Sequence, residues 1–156
     1  MGGITIRKFR AEDIDAVVRL FRDTIHSVNA KDYTKAQLDA WAPEKIDNAR
    51  WCQKLLSHYT VVAEKDGIIC GFGDIYENRY FDHLFVHKDY QGQGVASKIV
   101  ATIEGYADQK GIKTIEVHVS VTARTFFISK GYAVVAPQKV THNGQEFTNY
   151  VMKKNL

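Results

Sequence analysis

The sequence predicts an α+β fold: a mixed, mostly antiparallel sheet of about seven strands flanked by helices. Three observations carry this. Strand-like and helix-like runs alternate without the regular strand–helix–strand repeat of a doubly wound sheet. Asp66-Gly67 and Asn143-Gly144 each lie between two runs of strand character, the strongest short signal for a hairpin. A glycine-rich turn, Gln91 to Ser97, then joins a strand directly to a helix in mid-chain.

Taken in order, Ile4 to Phe9 alternates apolar and polar residues as a half-buried strand does. Asp13 to Arg22 follows with helical apolar spacing at Ile14, Val17, Val18 and Phe21. Two short helices divided by a turn at Pro43 come next, the first with Thr34 as its N-cap and the second over Ile46 to Leu56. Tyr59 to Glu64 and Ile68 to Tyr76 form an antiparallel pair across Lys65-Asp66-Gly67, and Arg79 to Val86 adds a further strand. Val95 to Gln109 has apolar residues at Val95, Ile99, Ile103 and Tyr106 and closes at Gly111. Thr114 to Val119 reads as a strand, Ala123 to Lys130 as a short helix stopped by Gly131, and Tyr132 to Val140 with Phe147 to Met152 as the closing hairpin.

The chain has 156 residues, 45% of them apolar, enough for one compact domain spanning residues 1–156 without repeat or linker. Its formal charge of +3 is spread along the chain, which favours neither a nucleic-acid nor a membrane partner. No apolar run approaches the roughly 20 residues a membrane helix needs, so a soluble protein is expected. Met1-Gly2-Gly3 reads as a flexible end, since Ile6 stands where a myristoylation signal wants Ser or Thr. Cys52 and Cys70 lack metal-ligand spacing and read as buried, reduced thiols, which fits a cytoplasmic location. No metal is expected.

The glycine-rich turn carries the chemistry. Small residues let backbone approach a ligand, and the first amides of the following helix lack intrahelical acceptors and lie at its positive dipole end, so the turn predicts a diphosphate site. It is not a P-loop, because no Gly-Lys-Ser/Thr follows. Nor is it a dinucleotide fingerprint: Gly92-x-Gly94-x-x-Ser97 lacks the third glycine and follows antiparallel strands.

What remains is Gln91-x-x-Gly94-x-Ala96, which resembles the Gln/Arg-x-x-Gly-x-Gly/Ala motif of the GNAT superfamily of N-acetyltransferases. The resemblance extends from Ile4-x-Ile6-Arg7 through LFVHKDYQGQGVASKIV and ARTFFISKGYAVV to the closing hairpin. It implies acetyl-coenzyme A as co-substrate, transfer of its acetyl group to a primary amine of a small molecule in a ternary complex, and a splayed V between the fourth and fifth strands. The amides of Gln91, Gly92, Gln93, Gly94, Val95, Ala96 and Ser97 would hold the pyrophosphate. The backbone of Leu84, Phe85 and Val86 would take the pantetheine arm, with one amide polarising the thioester carbonyl. A coenzyme A-binding module without catalysis, or a protein N-acetyltransferase, are the alternative readings, and a homodimer is left open.

By the same resemblance the base positions are Asp82 and Tyr80. The two-residue period places Asp82 on one face with Leu84 and Val86, unless a bulge intervenes, and His83 on the other; His83, whose intrinsic pKa suits a base better, is the base candidate after Asp82 and otherwise a substrate-side residue. An ordinary aspartate titrates near 3.9, so a direct base here would need partial burial. The sequence departs from the family at Phe127, which stands where many members carry a tyrosine acid; it can pack the thioester but not donate a proton. Ser120 takes the place of a frequent asparagine and could meet pantetheine. Lys130, with Lys88, Lys98 and Arg124, is a candidate for the 3′-phosphate or adenine. Tyr33, Trp41, Tyr76 and Phe147, with Tyr80, would rim the acceptor pocket.

Overall fold

A computed structural model describes residues 3–77 and 79–156, so Met1 and Gly2 of the expected flexible end lie outside the described residues. One seven-stranded sheet organises the chain, in the order β1-β2-β3-β4-β5-β7-β6. The strands are β1 (Thr5–Lys8), β2 (Tyr59–Lys65), β3 (Ile68–Tyr76), β4 (Tyr80–Val86), β5 (Thr114–Ser120), β6 (Ala133–His142) and β7 (Gln145–Asn155). The helices are α1 (Ile14–Ser27), α2 (Lys35–Trp41), α3 (Asn48–Ser57), α4 (Val95–Gln109) and α5 (Arg124–Ser129). Every neighbouring pair of strands is antiparallel except β4 and β5.

The local signals act as expected. Asp66 and Gly67 take φ of 52° and 79°, and Asn143 and Gly144 take 46° and 80°, the paired positive φ values that a two-residue hairpin turn demands. The Thr34 side chain accepts from the Gln37 amide at 3.1 Å while the Gln37 side chain accepts from the Thr34 amide at 2.9 Å, a reciprocal cap that starts α2. Helix α1 runs on to Ser27, five residues past the apolar spacing expected to end at Arg22, because Thr24 and Ile25 are also buried. No described helix is long and apolar enough to cross a membrane.

Two apolar clusters lie on the two faces of the sheet. On one, α4 inserts Val95, Ile99 and Ile103 against Cys70, Phe81, Val86 and Ile115. On the other, Phe72 packs with Val17, Phe21 and Ile25 of α1 and Leu55 of α3. Helix α4 can approach β3 closely because Gly71 and Gly73 flank Phe72: a Cβ on Gly73 would stand 2.7 Å from Ile99 Cγ2 and 3.0 Å from the His83 carbonyl oxygen. This approach sets where the first turn of α4 lies relative to β4.

Gly73→Ala should therefore lower stability by about 1–3 kcal/mol, the range for overpacking a filled core. Gly105→Ala in the same helix meets nothing within 4 Å and should raise stability by about 0.5–1 kcal/mol. Urea denaturation of the two variants measures both signs.

Candidate functional site

Strands β4 and β5 meet only at Tyr80↔Glu116 and Phe81↔Val117, then part. Beyond Phe81, β4 is paired with β3 on one edge alone, and the gap on its other edge opens into a cavity of about 880 Å³. The V expected between the fourth and fifth strands is thus present. Leu84, Phe85 and Val86 line the cavity along β4, and Val119 and Ser120 line it from β5.

At one end lies the glycine-rich turn. Gly92 and Gly94 hold φ of 72° and 83°, a left-handed backbone that side chains disfavour, and Gly94 is the N-cap of α4 with no side chain to cap the helix. The first α4 amides are left for a ligand. Gln91 donates from Nε2 to the Val86 carbonyl at 2.6 Å, tying the turn to the end of β4. Gln91 and Ala96 line the cavity, while Gly92, Gln93, Gly94, Val95 and Ser97 belong to the adjoining turn and helix start. Val95 buries its side chain in the core and Gln93 accepts from Lys65 Nζ at 3.1 Å.

At the other end the structure departs from the simple alternation of β4. Asp74 faces His83 and Ile75 faces Phe81, so Asp82 is the extra residue of a bulge. Phe81, Leu84 and Val86 consequently pack on the α4 side, whereas Asp82 and His83 both turn to the α3 side. The expected shared face of Asp82, Leu84 and Val86 is corrected by this bulge. Asp82 lies 3.5 Å from Lys54 Nζ and 3.5 Å from His83 Nδ1, and both Asp82 and His83 line the cavity.

Behind them is Asp74, a carboxylate with no exposed surface in the middle of β3. Its Oδ1 accepts from the His83 backbone amide at 2.9 Å and stands 2.8 Å from His83 Nδ1; its Oδ2 stands 2.7 Å from His58 Nδ1. Burial opposes the charge, but the two imidazoles prevail and hold Asp74 down at about 2. Burial likewise opposes an imidazolium at His83, and Asp74 outweighs it, so His83 is raised above its ordinary range. Both Asp74 oxygens are thus in contact with imidazole nitrogens.

The remaining expected residues fall into two groups. Tyr33 accepts from the Val121 amide at 3.0 Å and meets Trp41 edge-on at 5.4 Å, and Phe147 lies 6.0 Å from each; all three line the cavity. Gln37 donates to the Glu146 carbonyl at 2.8 Å and Asn143 to the Ala40 carbonyl at 2.7 Å, so the β6–β7 hairpin is clamped onto α2 as a roof. Ser120 also lines the cavity and accepts from the Ala123 amide at 3.2 Å. Phe127 lines it too, buried edge-on against Phe81. Tyr80 lines the cavity, and burial and the neighbouring Asp82 push its phenol well above its ordinary range.

Two expected residues lie outside the main cavity. Tyr76 stacks on His58 at 4.8 Å and lines a second cavity of about 350 Å³ with Lys8, Tyr59 and Lys110. Lys130 sets its ammonium over the Phe126 ring at 5.5 Å and does not line the cavity; Arg124 is similarly held over Tyr150 at 4.6 Å. Neither cysteine lines it, and burial raises the Cys70 thiol. Asp74, His58, Lys54 and Trp51 were not singled out in the sequence. For Asp74 there was a signal: an ionisable residue inside the apolar run of β3 must have partners.

Comparison with known proteins agrees with this geometry. Residues 29–154 match the model of the acetyltransferase (GNAT) domain. The chain is 31% identical over 153 residues to an uncharacterised N-acetyltransferase, YafP, of Escherichia coli K12, covering 98% of this chain and 97% of that protein. A GCN5-related N-acetyltransferase of Rhodopseudomonas palustris superposes with a TM-score of 0.96 at 29% identity, covering 100% of this chain and 98% of that one. PaiA N-acetyltransferase of Thermoplasma acidophilum, solved in complex with coenzyme A, has the same fold at a TM-score of 0.80 and 18% identity, over 99% of both chains. The chain belongs to the GNAT family of acetyltransferases.

The Asp74 cluster also predicts a pH dependence of stability. Asp74, depressed from 3.8 to about 2, stabilises the fold above 3.8 and loses that contribution, about 2 kcal/mol, as pH falls toward 2. His83, raised from 6.5, stabilises below 6.5 and loses its contribution as pH rises through its folded value. Urea midpoints should therefore peak between pH 4 and 6.5 for this cluster, and Asp74→Asn should flatten that peak.

Proposed function

We propose that this chain transfers the acetyl group of acetyl-coenzyme A to the primary amine of a small molecule, by direct attack within a ternary complex. The observation that carries the reading is the one-sided edge of β4 inside the V, bounded by the glycine turn at one end and by Asp82 and His83 at the other. The PaiA complex with coenzyme A supports the donor, as does a Salmonella typhimurium acetyltransferase solved with acetyl-CoA.

In this reading the amides from Gly92 to Ser97 bind the pyrophosphate, and the β4 edge from Leu84 to Val86 orients the pantetheine arm. An amide of that edge stabilises the oxyanion as the amine adds to the thioester carbonyl. Asp82 anchors the incoming amine, which attacks as the free base, and Tyr80 offers a neutral phenol as donor. Phe127 packs beside the thioester, so the departing thiolate takes its proton from solvent, which an ordinary thiol value of about 8.5 permits. The roof of α2 and the β6–β7 hairpin encloses the acceptor end, which supports a small molecule over a protein surface as acceptor. No nucleophilic cysteine is needed, because holding amine and thioester together supplies the rate.

Acetyl-coenzyme A should raise the melting temperature, and an amine library should include acceptors that release free thiol. A protein stabilised by the cofactor that turns over no amine would make the chain a coenzyme A-binding module instead. Gly94→Ala, strained by a positive φ but without steric obstacle, should cost about 1–2 kcal/mol of stability and weaken the cofactor's thermal shift. Asp82→Asn should lower kcat/KM for the amine roughly 10- to 100-fold while leaving the KM for acetyl-coenzyme A unchanged, read from steady-state thiol release.

A further inference from the structure

The Asp74 carboxylate is shared by two imidazoles that belong to different cavities. His83 lines the main cavity, and His58 lines the second one. His83 Nδ1 lies 2.8 Å from Asp74 Oδ1 and 3.5 Å from Asp82 Oδ2, and a ring nitrogen between two carboxylates must carry a proton. His58 Nδ1, 2.7 Å from the single carboxylate oxygen Asp74 Oδ2, also carries a proton, because an ionised carboxylate can only accept. Both neutral rings are thereby fixed as Nδ1–H tautomers, which leaves Nε2 of each as the basic atom.

Resting on the acetyl-transfer reading, we infer that His83 is the base that receives the amine proton, that Asp74 is its positioning residue, and that His58 tunes this base from the second cavity by competing for the same carboxylate. The proton balance is closed. The amine nitrogen bonds to the acetyl carbon, and one N–H proton passes to His83 Nε2. The C–S bond breaks, the thiolate takes a proton from solvent, and the imidazolium returns one to it. Asp74 remains a carboxylate throughout, holding Nδ1–H.

The competition follows from charge. One buried carboxylate can neutralise one imidazolium, and a second on its other oxygen shares that charge, so protonation of His58 disfavours protonation of His83. The charged groups facing His83 are Asp74 from β3, Asp82 from β4 and Lys54 from α3; Trp51, Phe72 and Phe85 supply uncharged walls. His58 is the member of the set whose ring borders the second cavity, beside Lys8 and Lys110. Conditions there thus reach the base through Asp74, with no movement of the sheet.

Ring C–H resonances of His58 and His83, followed by NMR from pH 4 to 10 in the whole protein, test this without requiring turnover. Their titrations are expected to be mutually dependent. His58→Gln, which keeps a donor but no titratable charge, should move the His83 midpoint up by about half a unit, and Asp74→Asn should move it down by about one unit or more. Should Asp74→Asn fail to fold, His58→Gln still decides the coupling. The acid limb of kcat/KM, for any amine found to turn over, should follow the His83 midpoint in each variant, and His83→Asn should lose roughly 100-fold or more. A His83 midpoint indifferent to His58→Gln overturns the tuning, and an acid limb that does not follow His83 overturns the base. Absence of turnover with every amine overturns the acetyl-transfer reading and the base with it, while the ring titrations still decide the shared carboxylate.

Discussion

The arrangement depends on one buried carboxylate. A bulge in β4 breaks the regular ladder and leaves the backbone amide of His83 in need of an acceptor, and Asp74 Oδ1 supplies it from the neighbouring strand. The bulge in turn places Asp82 and His83 on the α3 side while Phe81, Leu84 and Val86 stay on the α4 side. A strand of strict period two would separate these two polar side chains. The charge that satisfies the bulge also holds both imidazoles, so the irregular backbone and the polar cluster are consequences of each other. Burying Asp74 is tolerable because three donors surround it, and an apolar replacement would take from each the acceptor it lies within 2.9 Å of.

The other half of the site is built from backbone. Gly71 and Gly73 let α4 close on β3, which brings the start of α4 beside the end of β4, and the Gln91 side chain fastens the turn to the Val86 carbonyl. The β4–β5 V lies between these fixed parts. Its free edge needs no particular side chain, only that β4 and β5 stop pairing after Phe81 and Val117.

How much of this could be read in the sequence follows the range of the forces involved. The hairpin at Asp66-Gly67, the cap at Thr34 and the glycine turn at Gly92 to Gly94 are set by a few adjacent residues, and each falls where the sequence places it. The bulge at Asp82 is a register relation between two strands, which local alternation does not encode; it moved His83 onto the side of Asp82. His58 and Asp74 are 16 residues apart, and only the pairing of β2 with β3 brings them together. Lys130 and Tyr76 are expected from their residue types, a cation for a phosphate and an aromatic for a pocket rim, but their side chains meet Phe126 and His58, which residue type does not foretell.

The two halves are therefore constrained differently. The glycine turn is made of backbone amides and left-handed glycines, so what it asks of the sequence is small residues at Gly92 and Gly94. The acceptor end is made of side chains from separate elements: Trp41 from α2, Trp51 and Lys54 from α3, Asp82 and His83 from β4, and Phe147 from β7. None of them supplies a ladder bond through its side chain, so each shapes the cavity through packing and charge. Asp74 differs from them, because its Oδ1 accepts from the β4 backbone at His83 while the same carboxylate holds two imidazoles, so one residue serves both the ladder and the polar cluster.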